Sequence, residues 1–306
     1  MSSLNHLLSH IVDYAGLFPP AALPLEEVVK NYNDYISSDD ELMLARLIIP
    51  ASRLSEFVEV ADSIVDSQTM ACWLISALLP APSDEKFAGA VEAILEFNRQ
   101  SNERSVKAVV DAVELPTPQT ELIDQAVAAV HAEISVFAEL PWDENHEHFS
   151  KLAELRKGRS NLFAKIRTGG VEPQMIPSVA QVASFIESAQ QHAVGFKATA
   201  GLHHPLRAEY ALTYESNSPR GTMHGFMNVF AGACLVHHKR ISSEDLVALL
   251  NEADSTAIKF DEAGLVWREC SVSREEIERT RGEFAISFGS CSFTEPLEDL
   301  ATHWPA

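Results

Sequence analysis

A chain of 306 residues that is 46% hydrophobic has enough apolar material for one large α/β domain or two smaller ones. Its formal charge of −21, from 44 acidic against 23 basic residues, excludes the basic stripe that nucleic acid or an anionic membrane would require. An anionic ligand must therefore find a local positive pocket, and the expected partner is a small anionic substrate, with a homo-oligomer left open.

No apolar run reaches membrane-spanning length, and the N-terminus lacks the pattern of a signal peptide, so a cytoplasmic location is expected. Cys72, Cys234, Cys270 and Cys291 are scattered without a CxxC pair, which points to reduced thiols and away from structural zinc. Nothing in the sequence calls for a cofactor.

In chain order, Ile11–Tyr14 reads as a short strand carrying Asp13, followed by the turn-rich AGLFPPAALP and the helix LEEVVKNYNDYI. LMLARLIIP is the second strand, with a helix beginning over Ser52–Ala61. MACWLISALLP and SDEKFAGAVEAILEFNRQ form the third strand–helix pair, and SVKAVVDAVEL and TPQTELIDQAVAAVHA the fourth. EISVFAELP is the fifth strand. Its helix, DENHEHFSKLAELRKG, is capped by Asp143 and has His146 and His148 on a solvated, charged start. Strands six and seven, LFAKIRTGG and AVGFKATAGL, flank the helix PSVAQVASFIESAQQ. This alternation predicts a parallel sheet with crossover helices, closed as a (β/α)8 TIM barrel. No GxGxxG follows the first strand, which argues against an open dinucleotide-binding sheet.

After Arg207 the rhythm breaks. Ala208–Thr222, with SNSPRG inside it, reads as a long loop of the kind that is usually functional. MHGFMNVFAGACLVHH and SSEDLVALLNEA are helices, and STAIKFDEAGLVWREC is a hairpin turning at Asp261–Gly264. SREEIERTRGE is a charged helix, FAISFGSCSF the eighth strand and EPLEDLATHW a closing helix. The expectation is one barrel domain over residues 1–306, with an insertion at about 255–283 before strand eight.

Chemistry is signalled by Lys165 and Lys197, one in each of two consecutive apolar strands. Burying an ammonium ion costs several kcal/mol unless it is paired or neutralised. Alternation along a strand puts Arg167 on the face of Lys165, and Thr199 on the face of Lys197. If these faces point inward, three cations converge at the C-terminal mouth, where barrel active sites lie. Mutual repulsion would then depress a lysine pKa and leave a neutral amine able to attack a carbonyl. The competing reading pairs each lysine with an inward carboxylate such as Asp111 or Glu139, and that pairing can coexist with catalysis.

AKIRTGG, a helix and then VGFKATAGL resemble the matching segment of the deoxyribose-phosphate aldolases, class I aldolases with a K-x-x-T-G strand followed by V-G-F-K-x-x-G-G. IVDYAGL is similar to that family's first strand with its aspartate, LIIPASRL to its second and FGSCSF to its final, phosphate-site strand. The resemblance spans most of the chain. It implies a Schiff-base lyase with Lys165 as nucleophile and Lys197 as the neighbour that lowers its pKa. Asp111 would stand for the fourth-strand aspartate that moves protons, and Glu139 is the other candidate for that role. Three departures stand out: Arg167 for a small polar residue, Ala200 for glycine, and the HHPLR tail with its long loop. The sequence resembles more closely a group of barrel proteins with RTGG, KATAGLHHP and FGSCSF blocks, to which no activity attaches.

Arg167 suits a carboxylate or phosphate on the substrate. Thr168, Thr199, Asp13, His203, His224 and Asn228 are further candidates for substrate contact, and Gly201, Gly289, Ser290 and Ser292 for a phosphate cradle at the last helix start. Against the cradle, Glu295 and Glu298 put negative charge in the same turn. His203, His204 and His224 could serve a metal-assisted hydrolase or isomerase, but no HExxH or HxH spacing supports a metal site. A barrel that only binds an anionic metabolite is the remaining alternative. Cys291, with no base partner evident in the sequence, reads as a small buried residue.

Overall fold

The computed structural model describes residues 2–65, 72–104, 106–143 and 145–304. Met70 and Ala71, assigned from sequence to the third strand, lie outside the described residues.

A short helix α1 (Ser3–Leu8), capped where the Ser2 side chain accepts from Asn5 N–H, precedes β1 (Val12–Tyr14). There follow α2 (Leu25–Tyr35), β2 (Leu44–Pro50), α3 (Leu54–Ile64), β3 (Trp73–Leu78), α4 (Phe87–Arg99) and β4 (Ala108–Pro116). Next come α5 (Thr120–Ala129), β5 (Ser135–Glu139), α6 (His146–Arg156), β6 (Leu162–Arg167), α7 (Val179–Gln191) and β7 (Phe196–Thr199). The chain continues through β8 (Ala208–Ala211), β9 (Arg220–Met223), α8 (Phe226–His237), α9 (Ser243–Leu250), β10 (Ile258–Phe260), β11 (Gly264–Trp267) and β12 (Cys270–Ser273). It ends with α10 (Arg274–Glu283), β13 (Ala285–Ser290) and α11 (Thr294–His303).

Eight strands close a parallel barrel in the order β1-β13-β7-β6-β5-β4-β3-β2, a TIM barrel. Parallel strands are covered on both faces, which is why they appear in the sequence as nearly unbroken apolar runs. Outer helices show the complementary pattern. In α2 the buried residues Leu25, Val28, Val29 and Tyr32 recur at helical spacing, with Glu26 and Glu27 in the first turn. Helix α8 is apolar all round because α7, α9, α10 and β13 cover it.

Three local expectations need correction. Residues 208–223 are an antiparallel hairpin, β8 with β9, rather than an open loop. Its faces are largely exposed, so no apolar alternation marks it in the sequence. The segment read as a hairpin at 255–270 does pair β10 with β11, and a third strand follows it at Cys270–Ser273, giving the sheet β10-β11-β12. Helix α6 begins at His146 after Asn145, while Asp143 instead accepts a hydrogen bond from Gln181, and His148 is buried rather than solvated.

Register fixes the mouth. Glu139 pairs with Lys165 across β5 and β6, and Lys165 with Lys197 across β6 and β7, so the three stand in one row on adjacent strands.

Candidate active site

At the mouth, five side chains alternate in charge. Lys197 Nζ lies 2.6 Å from Asp13 Oδ2 and 2.5 Å from Glu114 Oε1. Lys165 Nζ lies 2.9 Å from Glu114 Oε2 and 2.9 Å from Glu139 Oε2. The series Asp13–Lys197–Glu114–Lys165–Glu139 thus shares one central carboxylate between two ammonium groups. Further donors fill the remaining lone pairs: Ser76 Oγ donates to Glu114 at 2.7 Å, and Asp13 accepts from Ser287 Oγ at 2.5 Å and from Arg46 N–H at 2.9 Å. Glu114 Oε2 has the Lys165 ion pair as its one partner, so the opposed charges and these donors together offset most of the cost of burial.

Electrostatics follow from the sharing. Burial alone would raise the Glu114 pKa, but Lys165 and Lys197 outweigh it and hold the carboxyl well below the usual range. Burial alone would lower the Lys165 pKa, but Glu114 and Glu139 outweigh it and raise it. The expectation that neighbouring cations depress Lys165 is therefore corrected. Three carboxylates surround the two lysines, and the Arg167 guanidinium sits beyond Glu139, its Nε 3.8 Å from Oε1.

A cavity of about 370 Å³ opens above this series, within the range of small-molecule sites. Lys165, Glu114 and Arg167 line it, whereas Lys197 is fully enclosed. Phe18, Pro19 and Pro20 of the first loop form one side, and Leu212, Thr213 and Tyr214 of the β8–β9 turn form another. Thr199 also faces the cavity.

Other candidates are placed elsewhere. Asp111 does not reach the lysines: Arg46 Nε and Nη2 donate to its two oxygens at 2.8 and 2.7 Å. The β3–β4 register jumps from Val110 to Ala112, so Asp111 occupies a bulge nearer the amino end of β4, and Glu114 takes the place between the lysines. Thr168 is buried and ties two loops by donating to Thr199 O at 3.1 Å and Ala200 O at 2.5 Å. His224 faces Pro177 O at 2.8 Å, and Asn228 braces α8 through Arg207 N–H, Leu249 O and Glu252 O. Neither lines the cavity.

The loops after β6 and β7 meet at Gly169 and Gly201. A Cβ on either would lie 2.8 Å from the other's Cα, and Gly201 has φ +75°. Ala200 holds φ +57°, the left-handed region where glycine is easier.

In the expected phosphate cradle the hydroxyls already have partners. Ser290 Oγ lies 3.5 Å from His203 Nδ1, Ser292 Oγ accepts from Glu295 N–H at 3.1 Å, and the Glu295 carboxylate faces the same cavity. Gly289 and Gly201 line the cavity, and the nearby imidazole of His203 is taken up by Glu295. The histidines diverge rather than converge on a common point: His203 meets Glu295 at 3.0 Å, His204 meets Asp299 at 2.5 Å, and His224 turns to Pro177. Among the described residues no group of three or more His, Cys, Asp or Glu side chains is arranged to hold a metal. No described helix is long and apolar enough to cross a membrane.

Glu114, Ser76 and Ser287 were not singled out in the sequence. Glu114 had one available signal, a carboxylate near the end of an apolar strand two residues before Pro116, but strand parity counted from Asp111 points it the other way.

No protein-family model matches the chain, and no curated protein matches it. Among solved structures it is similar to the Haloferax volcanii malate synthase in its pyruvate/acetyl-CoA ternary complex, with a TM-score of 0.39, 9% identity, and coverage of 92% of this chain and 70% of that one. So remote a likeness carries nothing about chemistry; the TIM-barrel assignment stands on the closed order of the eight parallel strands.

Proposed function

We propose that the protein is a Schiff-base lyase of the class I aldolase type, acting on a small oxo compound with an anionic group. The observation that carries this reading is a cavity-lining lysine held between two carboxylates, with a second, enclosed lysine sharing one of them. Of the two amines, only Lys165 faces the cavity, so it is the nucleophile. Lys197 is the positioning residue, drawing Glu114 towards itself and limiting how tightly that carboxylate holds the Lys165 proton.

Imine formation then runs as follows. Lys165 passes a proton to Glu139, which is a quarter exposed and can exchange with water. The amine adds to the carbonyl carbon, the π pair moves to oxygen, and the oxygen takes the proton back from Glu139. The nitrogen, still carrying its extra proton, passes one through Glu139 to the departing hydroxyl, and loss of water leaves the protonated imine. In the cleavage direction a carboxylate removes the proton from the β-hydroxyl, the carbon–carbon bond breaks, and its electron pair moves onto the iminium nitrogen. Arg167, half exposed and only loosely paired with Glu139, is free to meet a carboxylate or phosphate on the substrate.

The test is reduction by borohydride in the presence of short oxo acids, aldehydes and sugar phosphates, followed by peptide mass spectrometry. The expected adduct is on Lys165 and disappears in Lys165→Met and Lys165→Arg, with folding checked by circular dichroism. Adducts confined to surface lysines, or unchanged by either substitution, would overturn the reading.

A further inference from the structure

Beyond the ends of β7 and β13 the cavity carries a second set of reactive groups, on loops and a helix rather than on the lysine-bearing strands. Cys291, directly after β13, lies with its Sγ 3.9 Å from His203 Nε2. The other ring nitrogen of His203, Nδ1, is 3.0 Å from Glu295 Oε2 on α11. Tyr214, from the β8–β9 turn, donates to the same Glu295 oxygen at 3.2 Å and stands 3.8 Å from Cys291 Sγ. Cys291, His203, Glu295 and Tyr214 all line the cavity. One imidazole thus has a thiol on one nitrogen and a carboxylate on the other, the order that activates a nucleophile in unrelated folds.

Two further observations separate this cluster from a packed cysteine. His203 is buried, which alone would lower its pKa, yet contact with Cys291 and Glu295 pushes it up to about 9, so at neutral pH the ring holds a proton that it can give to a developing oxyanion. Tyr14 of β1 is the remaining titratable group against the thiol, and burial, with smaller contributions that include Cys291, pushes its phenol up to about 12. Cys291 therefore stands beside one imidazole that keeps its proton at neutral pH and two phenols that stay neutral.

We propose that Cys291 is a second nucleophile of this cavity, a thiol that adds reversibly to the carbonyl carbon of a small uncharged aldehyde, with His203 moving the proton and Glu295 positioning the ring. The Sγ–C bond forms, the carbonyl π pair moves to oxygen, and the thiol proton passes through His203 Nε2 to that oxygen, giving a thiohemiacetal. Nothing is oxidised, reduced or expelled. An uncharged aldehyde fits because Glu295 would repel an anion at this end of the cavity. The inference uses no atom of Lys165 and stands or falls separately from imine formation.

The experiment is carboxamidomethylation of the full-length protein by iodoacetamide at pH 7, with each cysteine followed by peptide mass spectrometry and the exposed Cys72 as internal reference. Cys291 is expected to react at least about tenfold faster than Cys72, as activated thiols do. Glu295→Gln and His203→Gln should bring it down to the rate of Cys72 or below, with Cys72 itself unchanged. Millimolar propanal should slow Cys291 alone, in the parent protein and in Lys165→Met alike. Reaction no faster than at Cys72, or insensitivity to Glu295→Gln, would overturn the nucleophile. Fast alkylation that propanal does not slow would overturn the aldehyde.

Discussion

Two ionic clusters are built into the barrel, and their difference is instructive. Towards the amino end of β4, Arg46 and Asp111 form a closed bidentate pair, each oxygen taking one guanidinium N–H. Nearer the mouth, two lysines share Glu114 and reach Asp13 and Glu139 on either side. A guanidinium stays charged at any accessible pH and its fork matches one carboxylate, so the first cluster is a clamp. An ammonium group can lose its proton and has no fixed partner geometry, so the second can change state. The cavity opens on the second.

Glu114→Leu tests the contrast most severely. It leaves two enclosed ammonium groups without their common carboxylate, and breaking a buried ionic cluster typically costs about 3–5 kcal/mol. Asp111→Leu should cost less, about 1–2 kcal/mol, because Arg46 and Asp111 retain 19% and 28% of their side-chain exposure and the guanidinium can turn to water. Urea or thermal melts of the two variants measure the difference. Equal losses would make both clusters mere clamps.

The pH dependence of stability sharpens the same point. The folded-state pKa of Glu114 is depressed, so its stabilisation is complete above the unfolded value of ~4.3 and drains away as pH falls below it. Lys165 has the opposite sign: its pKa is raised, so its contribution is complete below ~10.4 and is lost as pH rises through the folded value above that. Melting temperatures should therefore decline below about pH 4 and again above about pH 10. Glu114→Gln should flatten the acid limb.

A smaller effect is expected from Glu139→Gln, which removes one of the two carboxylates holding the Lys165 proton. It also removes the proton carrier, so borohydride trapping at fixed neutral pH should fall about tenfold while its pH profile shifts to lower pH by about one unit. An unshifted profile would mean that Glu114 alone governs the amine. Smallest of all, Arg167→Ala should weaken trapping of oxo acids about fivefold and leave neutral aldehydes unaffected, the signature of an exposed charge contact.

The barrel was legible because a parallel strand covered on both faces has to be apolar, and the lysines because a charge inside such a run is conspicuous. Glu114 was hidden by the bulge at Asp111, which carries no glycine or other marker and reverses the face of every later residue on β4. The β8–β9 hairpin was hidden because its strands bury too little to show a pattern. The thiol cluster was invisible for a topological reason: His203 and Glu295 stand 92 positions apart, and only the adjacency of β7 and β13 brings their loops together.

The central series of charges also divides the polypeptide by sign. Asp13, Glu114 and Glu139 come from β1, β4 and β5, and Lys165 and Lys197 from β6 and β7. A cut between β5 and β6 would give an acidic half-barrel and a basic-cored partner, each with unmatched charges where its interior should be. Neither half should persist as a folded unit alone, yet the two should recognise each other when co-expressed. The ionic series would then act as an assembly code between fragments, rewarding the correct pairing and penalising two copies of the same half.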